Sequence, residues 1–145
     1  MSTATYDRSG LNFLYPENWK LVEDSMDAIP RTIVIQSPTG AFWSVDIHPF
    51  SVSREELIET VAQAMKEEYP ELESYPVSVE ILDNEAVGFD LFFCCLDFVV
   101  TSHIRALQVG HATYLLTYQA EDRDFEKLGP VFDAMTLSLL KSTDD

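Results

Sequence analysis

From Val77 to Gln119 the chain is a nearly unbroken series of β-forming segments, separated only by breaks of two or three residues. Links that short join antiparallel neighbours, because a parallel crossover needs a dozen residues or more. The segments are Val77–Ile81, Val87–Cys95, Phe98–Leu107 and Ala112–Gln119. Breaks are read at Asp83-Asn84-Glu85, near Leu96-Asp97 and at Gln108 to Gly110. Their aromatic and β-branched content (Phe89, Phe92, Phe93, Val99, Val100, Tyr114, Tyr118) suits a pleated, packed surface. Hydrophobic residues fall at both parities between Val87 and Leu107, so cover is expected on both faces of the sheet.

Two helices bracket this run. Ser53 and Glu56 have the spacing of a capping box, and Leu57, Ile58, Val61, Met65 and Tyr69 follow at helical spacing until Pro70. Pro70 to Pro76 reads as a connecting loop. Near the C-terminus, Asp122 or Asp124 caps a helix whose apolar face is Phe125, Leu128, Phe132, Met135 and Leu139. Gly129-Pro130 should kink it or start a second helix, since proline removes a donor and crowds the preceding turn. Upstream, Gly10–Pro16, Trp19–Glu23, Arg31–Ser37 and Ala41–Pro49 read as strands, with a hairpin turn at Pro38-Thr39-Gly40. In Ala41–Pro49, Trp43, Val45 and Ile47 face one way and Ser44, Asp46 and His48 the other. Residues 1–10 and Lys141 to Asp145 are expected to be loose. The fold class is α+β: one antiparallel sheet of about six or seven strands sandwiched by α-helices, in a single domain over residues 1–145 with its ordered core at about 10–140.

Charge narrows the function. Nine Lys and Arg against 25 Asp and Glu give a formal charge of −16. That opposes binding to a nucleic-acid backbone or an anionic membrane, both of which need clustered cations. The longest hydrophobic run, Leu91 to Leu96, is six residues, far short of the roughly 20 a membrane span needs. No signal peptide is visible in the chain, and a cytoplasmic location is expected. Cys94 and Cys95 are adjacent, so an ordinary disulfide between them is excluded in a strand; both read as buried reduced thiols, with a redox pair or a metal ligand as alternatives.

The opening Gly10-Leu11-Asn12-Phe13 with Tyr15-Pro16-Glu17-Asn18-Trp19 resembles the start of PsbP/Mog-like (DcrB-like) domains. The close is similar too: a strand ending in Tyr118, then Asp124-Phe125, Pro130-Val131-Phe132 and Met135 to Leu139. The resemblance spans about Leu11 to Leu140. It implies a central antiparallel sheet with helices on both sides, and a binding module with no shared catalytic residues. The chain departs from the photosynthetic members, which dock through basic residues, because its lysines are scarce.

The polar constellations remain candidates. Asp46 and His48 share a strand face, as do His103 and Arg105; together they are the ligand or metal set, provided they meet across the sheet. With the last turn centred between Val109 and Gly110, His103 and Arg105 would oppose Leu116 and Tyr114. Each set also reads as ordinary polar packing. Trp43 and the acids Glu67, Glu68 and Glu71 are the interface candidates, since Trp is enriched in hot spots and clustered acids steer basic partners, with core or sheet-edge packing for Trp43 and a solvated face for the acids as the alternatives. Trp19 reads as core. Gly-x-Ser-x-Gly, HExxH, GxGxxG and the EF-hand loop are absent, and no catalytic residue or cofactor is expected. The leading expectation is a non-enzymatic protein-interaction or chaperone-like adaptor with a basic protein partner. A small-ligand or metal-binding domain, and an enzyme with an unrecognised acid–base site, are the alternatives.

Overall fold

The protein's structure, a computed structural model, describes residues 2–142. Nine strands and two helices follow in the order β1 (Thr3–Arg8), β2 (Leu11–Pro16), β3 (Lys20–Asp24), β4 (Arg31–Gln36), β5 (Phe42–Pro49), α1 (Arg54–Glu68), β6 (Glu73–Ile81), β7 (Asn84–Cys95), β8 (Phe98–Val109), β9 (Ala112–Glu121) and α2 (Asp122–Ser142). Seven strands form one antiparallel sheet in the order β3-β4-β5-β9-β8-β7-β6, and β1 pairs with β2 in a separate hairpin.

Each face of the sheet is covered by one helix. On one side α1 seats Leu57 and Ile58 against Leu91, Ile104, Ala106 and Leu115. Its first turn is closed by Ser53, whose Oγ accepts from the Glu56 N–H at 3.3 Å. On the other side α2 and the β1–β2 hairpin enclose the larger core, built on Phe13, Trp43, Leu116, Phe132, Met135 and Leu139. Phe13 meets Trp43 at 4.9 Å, and Phe132 stacks on Tyr118 at 5.3 Å. Burying each such side chain contributes about 1.5–3 kcal/mol.

Several expectations are corrected. Residues 3–8 are a strand, held because Tyr6 is buried against Phe13 and its hydroxyl donates to Asp24 Oδ2 at 2.9 Å. Glu73 to Pro76 belongs to β6; as an edge strand β6 tolerates Pro76. The turn after β6 is Leu82–Asp83, both at positive φ, and the turn after β8 is Gly110–His111. The β8–β9 register therefore shifts by two, pairing His103 with Tyr118 and Arg105 with Leu116. α2 runs unbroken through Pro130, which is exposed, so the missing hydrogen bond ends no helix. The fraying expected over Lys141 to Asp145 falls partly within α2, and its last three residues lie outside the described ones. Among the described residues no helix is long and apolar enough to cross a membrane.

Candidate functional site

The register decides which candidate residues can meet. Asp46 pairs with Leu115 and His48 with Thr113, so both lie on the α1 side of the sheet. His103 pairs with Tyr118 and Arg105 with Leu116, which places both on the α2 side. The four residues do not converge: the sheet separates them. Asp46 sits above Thr32, and burial raises its carboxyl while the Thr32 hydrogen bond and His48 pull the other way. Among the described residues no three His, Cys, Asp or Glu side chains come together as a metal centre would require.

On the α2 side, His103 and Arg105 flank a cleft of about 400 Å³ that Tyr118, Asp133, Thr136 and Leu82 also line. Its polar groups are largely committed to one another. Arg105 is buried, and its Nη2 reaches Asp90 Oδ1 at 2.7 Å while Nη1 donates to the carbonyls of Ile104 and Phe89 at 3.0 and 3.2 Å. His103 Nε2 lies 3.5 Å from the same Asp90 oxygen, and its ring rests 4.5 Å from Phe125. Burial lowers the His103 pKa, helped by the neighbouring Arg105 charge and against the pull of Asp90 and Asp133. Deeper in, Thr136 Oγ1 accepts from Trp43 Nε1 at 3.0 Å and is hydrogen-bonded to the Tyr118 hydroxyl. Burial pushes Tyr118 up to about 12.

A different surface emerges at the β6 end of the sheet. α2 packs on β2, β8 and β9, and α1 on β7, β8 and β9; Ile81 at the end of β6 still packs into the larger core, whereas the start of β6 and the outer ends of β7 and β8 are the more exposed parts of the sheet. There Tyr75 is 52% exposed, Val99 48% and Phe98 58%, while Leu96 at the hairpin tip is 91% exposed. Tyr75, Phe92, Cys94 and Val99 share one face by register. Where α1 ends, a cleft of about 560 Å³ opens, floored by Tyr69, Phe92, Phe93 and Val99, with Glu68, Glu71 and Glu73 exposed around it. The Tyr69 ring lies 4.3 Å from Phe93.

Two of the three acidic interface candidates, Glu68 and Glu71, therefore border this cleft. Glu67 is exposed on the outer face of α1, where Gln63 Nε2 donates to it at 3.4 Å. Trp43 is corrected: it is completely buried and cannot touch a partner. Cys94 is corrected as well, being exposed beside the cleft, whereas Cys95 is half-buried. Nothing in the sequence singles out Tyr75, Phe98 and Val99, which the structure leaves exposed. Phe92, Phe98 and Val99 stand in the hydrophobic runs on either side of the Leu96-Asp97 turn, whereas Tyr75 falls in the Pro70 to Pro76 segment read as a loop.

No protein-family profile matches the chain, and no curated protein matches it in sequence. Solved structures do match its fold. A cyanobacterial PsbP, CyanoP, from Synechocystis sp. PCC 6803 superposes with a TM-score of 0.68 at 12% identity, over 94% of this chain and 91% of that one. PA94 of Pseudomonas aeruginosa, described as a protein of unknown function and putative regulator, gives 0.60 at 11% identity over 96% of each chain. LpqN of Mycobacterium tuberculosis, described as involved in cell envelope biogenesis, gives 0.53 at 13% identity over 92% and 87%. The resemblance carried by the opening and closing motifs is thus shown as a shared PsbP-like fold.

Proposed function

We propose that this PsbP-fold domain is a non-enzymatic protein-interaction module, adaptor or chaperone-like, whose docking surface is the uncovered β6 end of the sheet and whose partner is basic. The observation that carries this reading is the exposure of Tyr75 and Val99 on one face of this sheet end beside a cleft edged by Glu68, Glu71 and Glu73, with Phe98 exposed on the opposite face. Apolar patches rimmed by polar groups mark interaction surfaces. Burying an exposed aromatic or branched side chain under a partner is worth about 1.5–3 kcal/mol, and the acids raise the encounter rate with a cation-rich surface. The formal charge of −16 favours a basic protein over nucleic acid. Free thiols at Cys94 and Cys95 suit a reducing compartment, and the cytoplasm is the location we assign.

A photo-crosslinking amino acid placed at Val99, with a control at exposed His111 at the opposite end of β8, tests the reading in extract of the source organism. A basic protein captured at Val99 in low salt, lost in high salt and absent at His111 supports it. Equal labelling at both positions, or none at Val99, contradicts it.

The cleft beside His103 and Arg105 favours a second reading, a small-ligand site. It ranks lower because Asp90 and the backbone already occupy the Arg105 guanidinium.

A further inference from the structure

The directions of the backbone groups along β6 follow from its hairpin. A two-residue turn, Leu82–Asp83, joins β6 to β7, so Ile81 and Asn84 form the hydrogen-bonded pair that closes it. N–H and C=O directions alternate along a strand. Tyr75, Val77 and Val79 therefore also bond to β7, and Ser74, Pro76, Ser78 and Glu80 turn their backbone groups outward. Pro76 supports this parity independently: with no N–H, it fits the ladder only at an outward position. Among the described residues no strand lies beyond β6 in the sheet. Ser78 and Glu80 each present an N–H and a C=O to solvent, and Ser74 does so on the other side of Pro76.

The side chains beside this edge alternate in character. Tyr75 and Val79 are exposed and apolar on the α2 side, and Ser78 and Glu80 are exposed and polar on the α1 side. The nearby Glu73 and Asp83 are exposed acids. Two copies of a chain of charge −16 repel each other, whereas a cationic strand is attracted. We infer that the outer edge of β6 accepts an extended segment of a basic partner as an added strand. Its apolar residues lie against Tyr75 and Val79, and its alternate lysines or arginines against Glu80. Backbone pairing supplies affinity, and the alternation supplies selectivity. Pro76 interrupts the row of donors, which keeps the edge from templating indefinite assembly. The inference rests on the docking reading above and specifies how the partner is held.

The test uses the full chain and a synthetic peptide of alternating lysine and valine, with the same peptide N-methylated at alternate amides as control. The variant Ser78→Pro removes only an outward N–H, so it should fold and melt as the parent does. The peptide should slow amide exchange at Ser78 and Glu80, and N-methylation or Ser78→Pro should each weaken binding at least about tenfold. If Ser78→Pro does not fold, the N-methylated peptide decides alone. Equal binding of both peptides overturns strand addition while leaving side-chain docking intact. No protection at saturating peptide also overturns it. A dimer of the chain alone that Ser78→Pro dissolves makes the occupant a second copy and overturns the basic-partner assignment. Failure of the docking reading itself is seen elsewhere, as absence of a crosslinked partner at Val99.

Discussion

Tyr75 and Phe92 meet edge to face across β6 and β7, their ring centroids 5.8 Å apart, on a part of the sheet that neither helix covers. They are diagonal neighbours on one sheet face, close enough for aromatic contact. A buried pair of this kind would be ordinary core. Here Tyr75 is half exposed, so the contact organises a surface rather than an interior.

That difference separates stability from binding. Tyr75→Ser is expected to cost no more than about 1 kcal/mol of folding stability, since an exposed ring has little burial to lose. The same change should cost about 2 kcal/mol or more in partner affinity, the scale of an interface anchor. Denaturant unfolding and calorimetric binding of the crosslinked partner check the two numbers separately.

The acids act at longer range. Glu71→Lys combined with Glu73→Lys should slow association with a basic partner by about tenfold at low salt. Parent and variant rates should converge as salt shortens the Debye length to about 3 Å at 1 M. Stopped-flow association across a salt series reads this out.

Inside the larger core, Thr136 is the common partner of Trp43 and Tyr118. Thr136→Val keeps the volume but leaves an indole N–H and a phenol without a buried partner. A loss of about 2–4 kcal/mol is expected in chemical denaturation, with little change in partner binding.

Gly88 faces a different constraint. A Cβ there would fall 1.8 Å from the Ile104 carbonyl oxygen on the paired strand. Backbone cannot give way as a flexible side chain can, so Gly88→Ala should destabilise by about 3 kcal/mol or prevent folding. A melting curve of the variant decides.

Alkaline pH reports on Tyr118. Its phenol titrates at 10.0 when free and is pushed up to about 12 in the fold, chiefly by burial. The folded state holds this proton more tightly, so the contribution is fully present below pH 10 and is lost as pH rises through 12. Stability should fall by up to about 1.4 kcal/mol per pH unit in that window, and Tyr118→Phe should flatten the slope. Tyr6 and Tyr114 are raised in the same direction, so a residual slope remains.

Much of this fold was legible because periodicity is a local property. The alternation of Trp43, Val45 and Ile47, the capping Ser53 and the Phe125–Leu139 stripe each report their own segment. Position in the sheet is not local. Asp46 with His48 and His103 with Arg105 were each placed correctly on a shared face, but nothing in either segment told which faces coincide. A hydrophobic strand end such as Phe92 or Val99 looks the same in sequence whether a helix covers it or not. Only the footprints of α1 and α2 showed that Trp43 is interior and Tyr75 is surface.

The most direct test of the docking surface is the affinity of the crosslinked partner for the parent chain and for a Tyr75→Ser, Val99→Ser double variant, measured by calorimetry alongside the melting temperature of each. The account predicts an affinity loss of at least about thirtyfold with the melting temperature nearly unchanged. An unchanged affinity in a folded double variant would contradict it.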